Sequence, residues 1–229
     1  MQAAPAMMLY RSTIGRKVIM AVTGLIGIGF VFFHMYGNLK VFSGPVYFNE
    51  YAEGLREIGA PVFGHLHLLM VGRIVLVAAV ILHVWSAISL TRQAQKARPV
   101  NYAHHDKQRT NYAALTIRWG GTVIFLFLIY HLMHFTWGTP GVHNDFIPGD
   151  AYHNLVSGFQ FFPNVIVYLL AVSALGLHLY HGTWSMCQTL GITTRETEKP
   201  IRMLGLGLAI VIVVGFAVVP ISVVAGIVQ

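Results

Sequence analysis

The chain has 229 residues, of which 55% are hydrophobic and only 10% are Asp, Glu, Lys or Arg. A water-soluble domain carries about 25% charged residues, so a soluble enzyme is excluded, and the mean hydropathy of +0.63 agrees. The single cysteine, Cys187, excludes a disulfide scaffold, a Cys-ligated iron–sulfur cluster and a Cys-rich zinc site, while a net charge of +7 and twelve histidines ask for another explanation.

Five apolar stretches follow in chain order: Lys17–Leu39, Leu66–Arg92, Thr116–Trp137, Pro163–Cys187 and Met203–Val228. Each reaches the ~20 residues that a helix needs to cross a ~30 Å hydrocarbon core. Alternating strands of about 10 residues, as in a membrane β-barrel, do not occur. The first stretch is too long for a signal-peptide core, and no small-residue cleavage site follows it. Residues 1–229 therefore read as a single all-α membrane domain with five transmembrane helices. The loops at 40–65 and 138–162 are long enough to fold over the mouth of such a bundle.

The charges follow a topology. Arg11, Arg16 and Lys17 precede the first stretch. Arg92, Lys96, Arg98, Lys107, Arg109 and Arg118 surround the second connection, and Arg195, Lys199 and Arg202 the fourth; together these hold 12 of the 15 basic residues. The other two loops hold Lys40 and Arg56 with Glu50, Glu53, Glu57, Asp145 and Asp150. The positive-inside rule places the N-terminus in the cytoplasm and the C-terminus outside, in a plasma (inner) membrane. The basic residues are thus explained by topology, and a nucleic-acid partner is excluded.

Each of the first four stretches carries a histidine deep in its apolar sequence: His34, His83, His131 and His178. His134 and His181 sit one turn further on. One intramembrane histidine alone is accounted for by an interhelical hydrogen bond, but four on successive spans point to function. At 1.5 Å per residue, His34 and His131 lie about 25 and 23 Å from the cytoplasmic side, and His83 and His178 about 26 and 23 Å from the outside. They form an outer layer (His34, His131) and an inner layer (His83, His178), roughly 10–15 Å apart. Two imidazoles at one depth on different helices make a site for a six-coordinate haem. The expected fold is a four-helix haem-binding bundle with a fifth, peripheral helix that carries no ligand. Gly24, Gly27, Gly37, Gly120, Gly121, Gly176 and Gly182 lie near the histidines and would admit a flat macrocycle. No Cys-x-x-Cys-His occurs, so both haems are held non-covalently. Cytochromes of the quinol–cytochrome c reductase type carry two widely spaced ligands on each of two helices, and no span here has that pattern.

The motifs Ser12-x-x-Gly15-Arg16-Lys17 and Met20-Ala21-x-Thr23-Gly24-Leu25 resemble the start of the succinate dehydrogenase cytochrome b subunit, b558 family. His34-Met-Tyr-Gly37-Asn38-Leu39 with Phe48-Asn49-x-Tyr51-Ala52 looks like the end of that family's first helix and its outer loop. His178-x-x-x-Gly182-x-Trp184-Ser185 and Gly191-Ile192-Thr193 are similar to its fourth helix and the turn beyond. The resemblance runs through almost the whole chain. It implies a two-haem, single-polypeptide anchor of succinate:quinone oxidoreductase (respiratory complex II of the tricarboxylic acid cycle) or of a quinol:fumarate reductase. It further implies two haem b groups on His34/His131 and His83/His178, with His134 and His181 not ligands. The implied partners on the cytoplasmic face are a flavoprotein with covalent FAD and an iron–sulfur protein. The chain's own part would be electron transport to or from a membrane quinone, menaquinone by the family's habit. It is then an enzyme only as a subunit, since it carries no dicarboxylate chemistry.

Other polar residues are candidates for the haem propionates. Arg73, in the outer half of the second span, needs a partner at that depth unless it snorkels to the interface. His65, His67, Tyr47 and Arg56 lie at the outer rim. Arg16, Lys17, Arg92 and Arg118 lie at the inner rim, where topology alone also explains them. Glu50, Glu53 and Glu57, together with Ser12, are candidates for quinone or its protons, against the simpler reading of solvated loop residues. A histidine-lined proton or metal transporter would need its ionisable groups at one depth along a path. A stand-alone transmembrane b-type cytochrome reductase would share the haems without a docking surface.

Overall fold

The computed structural model describes residues 12–97 and 110–229, with side chains from residue 117 onward in the second segment. Arg11, Arg98, Lys107 and Arg109, used above for the topology, lie outside the described residues. Among the described residues there are helices and no strands: α1 Thr13–Leu39, α2 Pro45–Gly54, α3 His67–Lys96, α4 Thr110–Phe135, α5 Ala151–Gln160, α6 Phe162–Thr189 and α7 Glu198–Val224. Five of them, α1, α3, α4, α6 and α7, are long and apolar enough to cross a membrane. This is an all-α membrane protein.

Local chemistry sets the helix ends. The Ser12 hydroxyl caps α1 by accepting from the Gly15 N–H at 2.9 Å. After a single 3-10 turn at Lys40–Ser43, Gly44 adopts φ 92°, a conformation open to glycine, and Pro45 opens α2. Asp150 caps α5, accepting from the His153 N–H at 2.9 Å. At the other end of the bundle α7 begins with Glu198, which pairs with Arg202 one turn on at 2.9 Å.

The spans alternate in direction. α3 packs along α1, α4 along α6, and α7 along α6 and α1. Glycines bring these helices together: a Cβ on Gly215 would fall 2.2 Å from the Met35 sulfur, and one on Gly176 would fall 2.4 Å from Val213. Small residues at such contacts are the usual device of membrane helices. The fifth span, which carries none of the four histidines, is thus fitted into the groove of α1 and α6, with Ile212 fully buried.

The two short helices form a cap over one end. Asn49 of α2 ties them together: its amide donates to Asp150 at 2.9 Å and its carbonyl oxygen accepts from the Tyr152 N–H at 2.9 Å. The Tyr152 hydroxyl then donates to the Gln229 carbonyl at 3.1 Å. Beneath the cap, Val41, Phe48, Leu155, Val156, Phe159, Val165, Tyr168, Val219 and Val223 make a buried apolar cluster.

Candidate functional site

The structure brings the four deep histidines together in two pairs, the same two that share a depth. His34 of α1 and His131 of α4 have ring centres 5.8 Å apart, with planes at 85°. His83 of α3 and His178 of α6 have ring centres 6.2 Å apart, with planes at 64°. The first pair lies towards the capped end and the second deeper towards the open end. Each of four helices gives one ring.

Metal–imidazole bonds of about 2.0–2.1 Å, with roughly 1.1 Å from nitrogen to ring centre, put two rings on one metal about 6.3 Å apart. The His83–His178 pair, at 6.2 Å, matches that spacing, and the His34–His131 pair, at 5.8 Å, is about 0.5 Å short of it. The helices behind them fit too, because α1 makes little direct backbone contact with α4, and α3 little with α6. Small residues flank the second pair. A Cβ on Gly24 would lie 3.5 Å from His83, and one on Gly121 would lie 3.7 Å from His178.

Polar contacts orient the rings. Thr23 donates its hydroxyl proton to the Ile19 carbonyl at 2.7 Å, so its oxygen accepts from Nδ1 of His83 at 3.1 Å. A neutral His83 then has its bare lone pair on Nε2, the form that binds a metal. Nδ1 of His131 lies 3.2 Å from the Tyr168 hydroxyl. Nδ1 of His178 is buried without a hydrogen-bond partner of ordinary geometry. At His34 the ring stacks on Phe30 at 5.2 Å, with Phe216 at 5.9 Å. His34 and His131 thus sit half-buried among aromatic rings.

The surplus histidines sit differently. His134 is fully buried, with Nδ1 at 2.9 Å from the Tyr168 hydroxyl and Nε2 at 3.1 Å from the Asn164 amide. His181 lies beside Tyr180 at 5.0 Å.

The expected propionate and quinone residues are spread around the rims. Arg16 lies over Trp85 at 5.8 Å and lines a cleft of about 350 Å³ at the open end with Arg92 and Lys96. Lys17 and Arg118 are exposed. Arg73 is exposed on α3 and makes no ion pair among the described residues. At the capped end Tyr47 accepts a hydrogen bond from Lys40 at 3.2 Å. The Lys40 ammonium also lies over the rings of Tyr36, Tyr47 and Tyr51. His65 pairs with Glu57 at 2.6 Å, Arg56 with Glu53, and the His67 ring accepts from the Gly64 N–H. Glu53, Glu57 and His65 form one exposed cluster, with Glu50 exposed nearby in sequence. Ser12 serves as a helix cap. None of Arg73, Tyr47, His65 or His67 touches an imidazole pair.

Sequence reasoning overlooked Thr23, Tyr168 and Asn164. The signal was available: the depth arithmetic that pairs the histidines, applied to hydroxyls, sets Tyr168 beside His131. In comparisons with family models, curated proteins and solved structures the chain matches none.

Proposed function

We propose that this chain is a di-haem cytochrome b, the membrane anchor of a succinate:quinone oxidoreductase, which passes electrons between an iron–sulfur subunit and membrane quinone. One observation carries the reading: two imidazole pairs, with ring centres 5.8 and 6.2 Å apart, lie at two depths of one bundle, with one ring from each of four helices. His34 and His131 would hold one haem b and His83 and His178 the other. Each haem supplies a one-electron carrier in a medium that offers no other. The chain's own residues set the Thr23 hydroxyl beside Nδ1 of His83 and the Tyr168 hydroxyl beside Nδ1 of His131. The capped end then faces outside and the basic end the cytoplasm, where the flavoprotein and the iron–sulfur protein dock. The motifs that resemble those of the b558 family favour this assembly over a stand-alone cytochrome.

The test is the haem content of the purified protein and of single variants, with co-purification of a flavoprotein from the native membrane. Two b-type haems are expected in the wild type. His83→Ala or His178→Ala should remove one haem and leave the centre at His34 and His131. Retention of two haems in both variants would overturn the ligand set, and purification without a flavoprotein would overturn the assembly.

A further inference from the structure

The two pairs differ in what meets the Nδ1 atom. His83 meets Thr23, whose proton is already given to Ile19, so Thr23 is a plain acceptor. His131 meets Tyr168, and Tyr168 is itself held by a chain of buried groups whose protons can be assigned in order. The Tyr130 hydroxyl donates to the Asn164 side-chain oxygen at 2.6 Å. That leaves the Asn164 amide group to donate to the Gly158 carbonyl at 2.8 Å and to Nε2 of His134 at 3.1 Å. A neutral His134 therefore carries its proton on Nδ1 and donates it to the Tyr168 oxygen at 2.9 Å. On its other side that oxygen lies 3.2 Å from Nδ1 of His131, the acceptor that remains for the Tyr168 hydroxyl proton while His131 holds no metal. Asn164, His134 and Tyr168 are 5%, 0% and 7% exposed, so no water competes for these bonds and each is stronger for it.

We propose that Tyr168 is a positioning residue that orients His131 and sets its strength as a metal ligand, with Asn164 and His134 holding the Tyr168 hydroxyl in place. This rests on the two-haem reading above. With Nε2 on a metal, His131 would carry its proton on Nδ1 and donate it to the Tyr168 oxygen, and the tyrosine's own proton would turn away from His131. The stronger that hydrogen bond, the more electron density Nε2 would carry, and the more the ferric state would be favoured. The Tyr168 ring is fixed independently of its hydroxyl, packed against Phe127 at 4.8 Å and Phe159 at 4.9 Å. The hydroxyl can therefore be removed without emptying the site.

The test uses the purified complex with its haems. Tyr168→Phe should keep both haems and raise the potential of the centre at His34 and His131, leaving the other unmoved. Loss of such outer contacts changes metal affinity by about tenfold or more. A tenfold change in the preference for ferric over ferrous iron reads as 59 mV in a one-electron couple. Thr23→Val should raise the potential of the centre at His83 and His178 and leave the other unmoved. In the unmodified protein, pulsed EPR of the remote ligand nitrogen should show a hydrogen-bonded Nδ1 at the His131 centre. That measurement stands even if Tyr168→Phe does not assemble. Both haems present with an unmoved potential, equal shifts at both centres, or a remote nitrogen without a hydrogen bond would each overturn the proposal. A preparation with no haem at all would overturn the two-haem reading, and the proposal with it.

Discussion

Gly121 gives the sharpest steric test of where a cofactor would sit. It lies on α4, which carries His131, yet it faces the ring of His178, a member of the other pair. A Cβ at Gly121 would lie 3.7 Å from Cε1 and 3.9 Å from Nδ1 of His178, ordinary contact distances. Gly121→Ala should therefore leave both haems in place. One more carbon, about 1.5 Å further out, can close the gap to about 2.2 Å, well inside van der Waals contact. Gly121→Val must then displace the ring or the helix. Overpacking of this kind costs about 1–3 kcal/mol, which corresponds to roughly a 5- to 150-fold loss of affinity for whatever the ring holds. The assay is the haem-to-protein ratio of the glycine, alanine and valine forms, with a redox titration to identify the missing centre. The expected order is two, two and fewer than two, with the centre at His83 and His178 lost. Gly24 faces His83 from α1 at 3.5 Å, and Gly24→Val should remove the same haem. Two haems in Gly121→Val, or selective loss of the centre at His34 and His131, would refute the placement.

Arg73→Leu should lower the potential of the centre at His34 and His131, because a cation in low dielectric favours the reduced, more electron-rich state. A redox titration that finds this centre unmoved would make Arg73 an interfacial anchor only, as its exposed place on α3 also allows. His181→Gln should leave the haem content unchanged, whereas loss of a haem in that variant with retention in His178→Gln would reverse the choice of ligand within the turn. The carboxyl of Asp150 is held below its usual range by the His153 N–H and the Asn49 amide. Its contribution to the cap is therefore complete above its unfolded value of about 3.9 and disappears as pH falls through the lower folded value. Hydrogen exchange in α2 and α5 should stay slow from neutral pH to about pH 4 and quicken only below that, whereas quickening already by pH 5 would contradict this linkage.

The spans were legible in the sequence because a membrane imposes length and apolarity on every helix that crosses it. Their ends were less so. α3 runs on to Lys96, α4 starts at Thr110 and α7 starts at Glu198, each past the apolar limit, because a helix continues into water when side chains such as Glu198 and Arg202 can pair along it. The caps of α2 and α5 had local signals, Gly44-Pro45 and Asp150, but short amphipathic helices lack the long apolar run that makes a span conspicuous. The histidine pairs could be read because depth depends only on the rise per residue. The hydroxyls that hold the rings could not be read that way alone, since a hydrogen bond depends also on which face of the helix each residue occupies.

The arrangement of the helices bears on why four of them share the ligands. α6 and α7 bury 39% of their apolar windows inside the bundle, whereas α3 and α4 bury only 6%. Between helices in lipid there is no hydrophobic drive to close such gaps, and association depends on packing and polar contacts. α3 is fastened mainly to α1, and α4 mainly to α6, so protein contacts alone leave two loosely joined helical pairs sealed along one side by α7. Each imidazole pair joins a helix of one pair to a helix of the other: His34 of α1 to His131 of α4, and His83 of α3 to His178 of α6. On the proposed reading, a haem in each pair would stitch the two halves at two depths and supply the buried contacts that α3 and α4 otherwise lack. Had both ligands come from one half, the two halves would have been joined only through α7 and the contact of α1 with α6. One ligand per helix would make cofactor binding and closure of the bundle the same event, and metal affinity would then add directly to the stability of the fold.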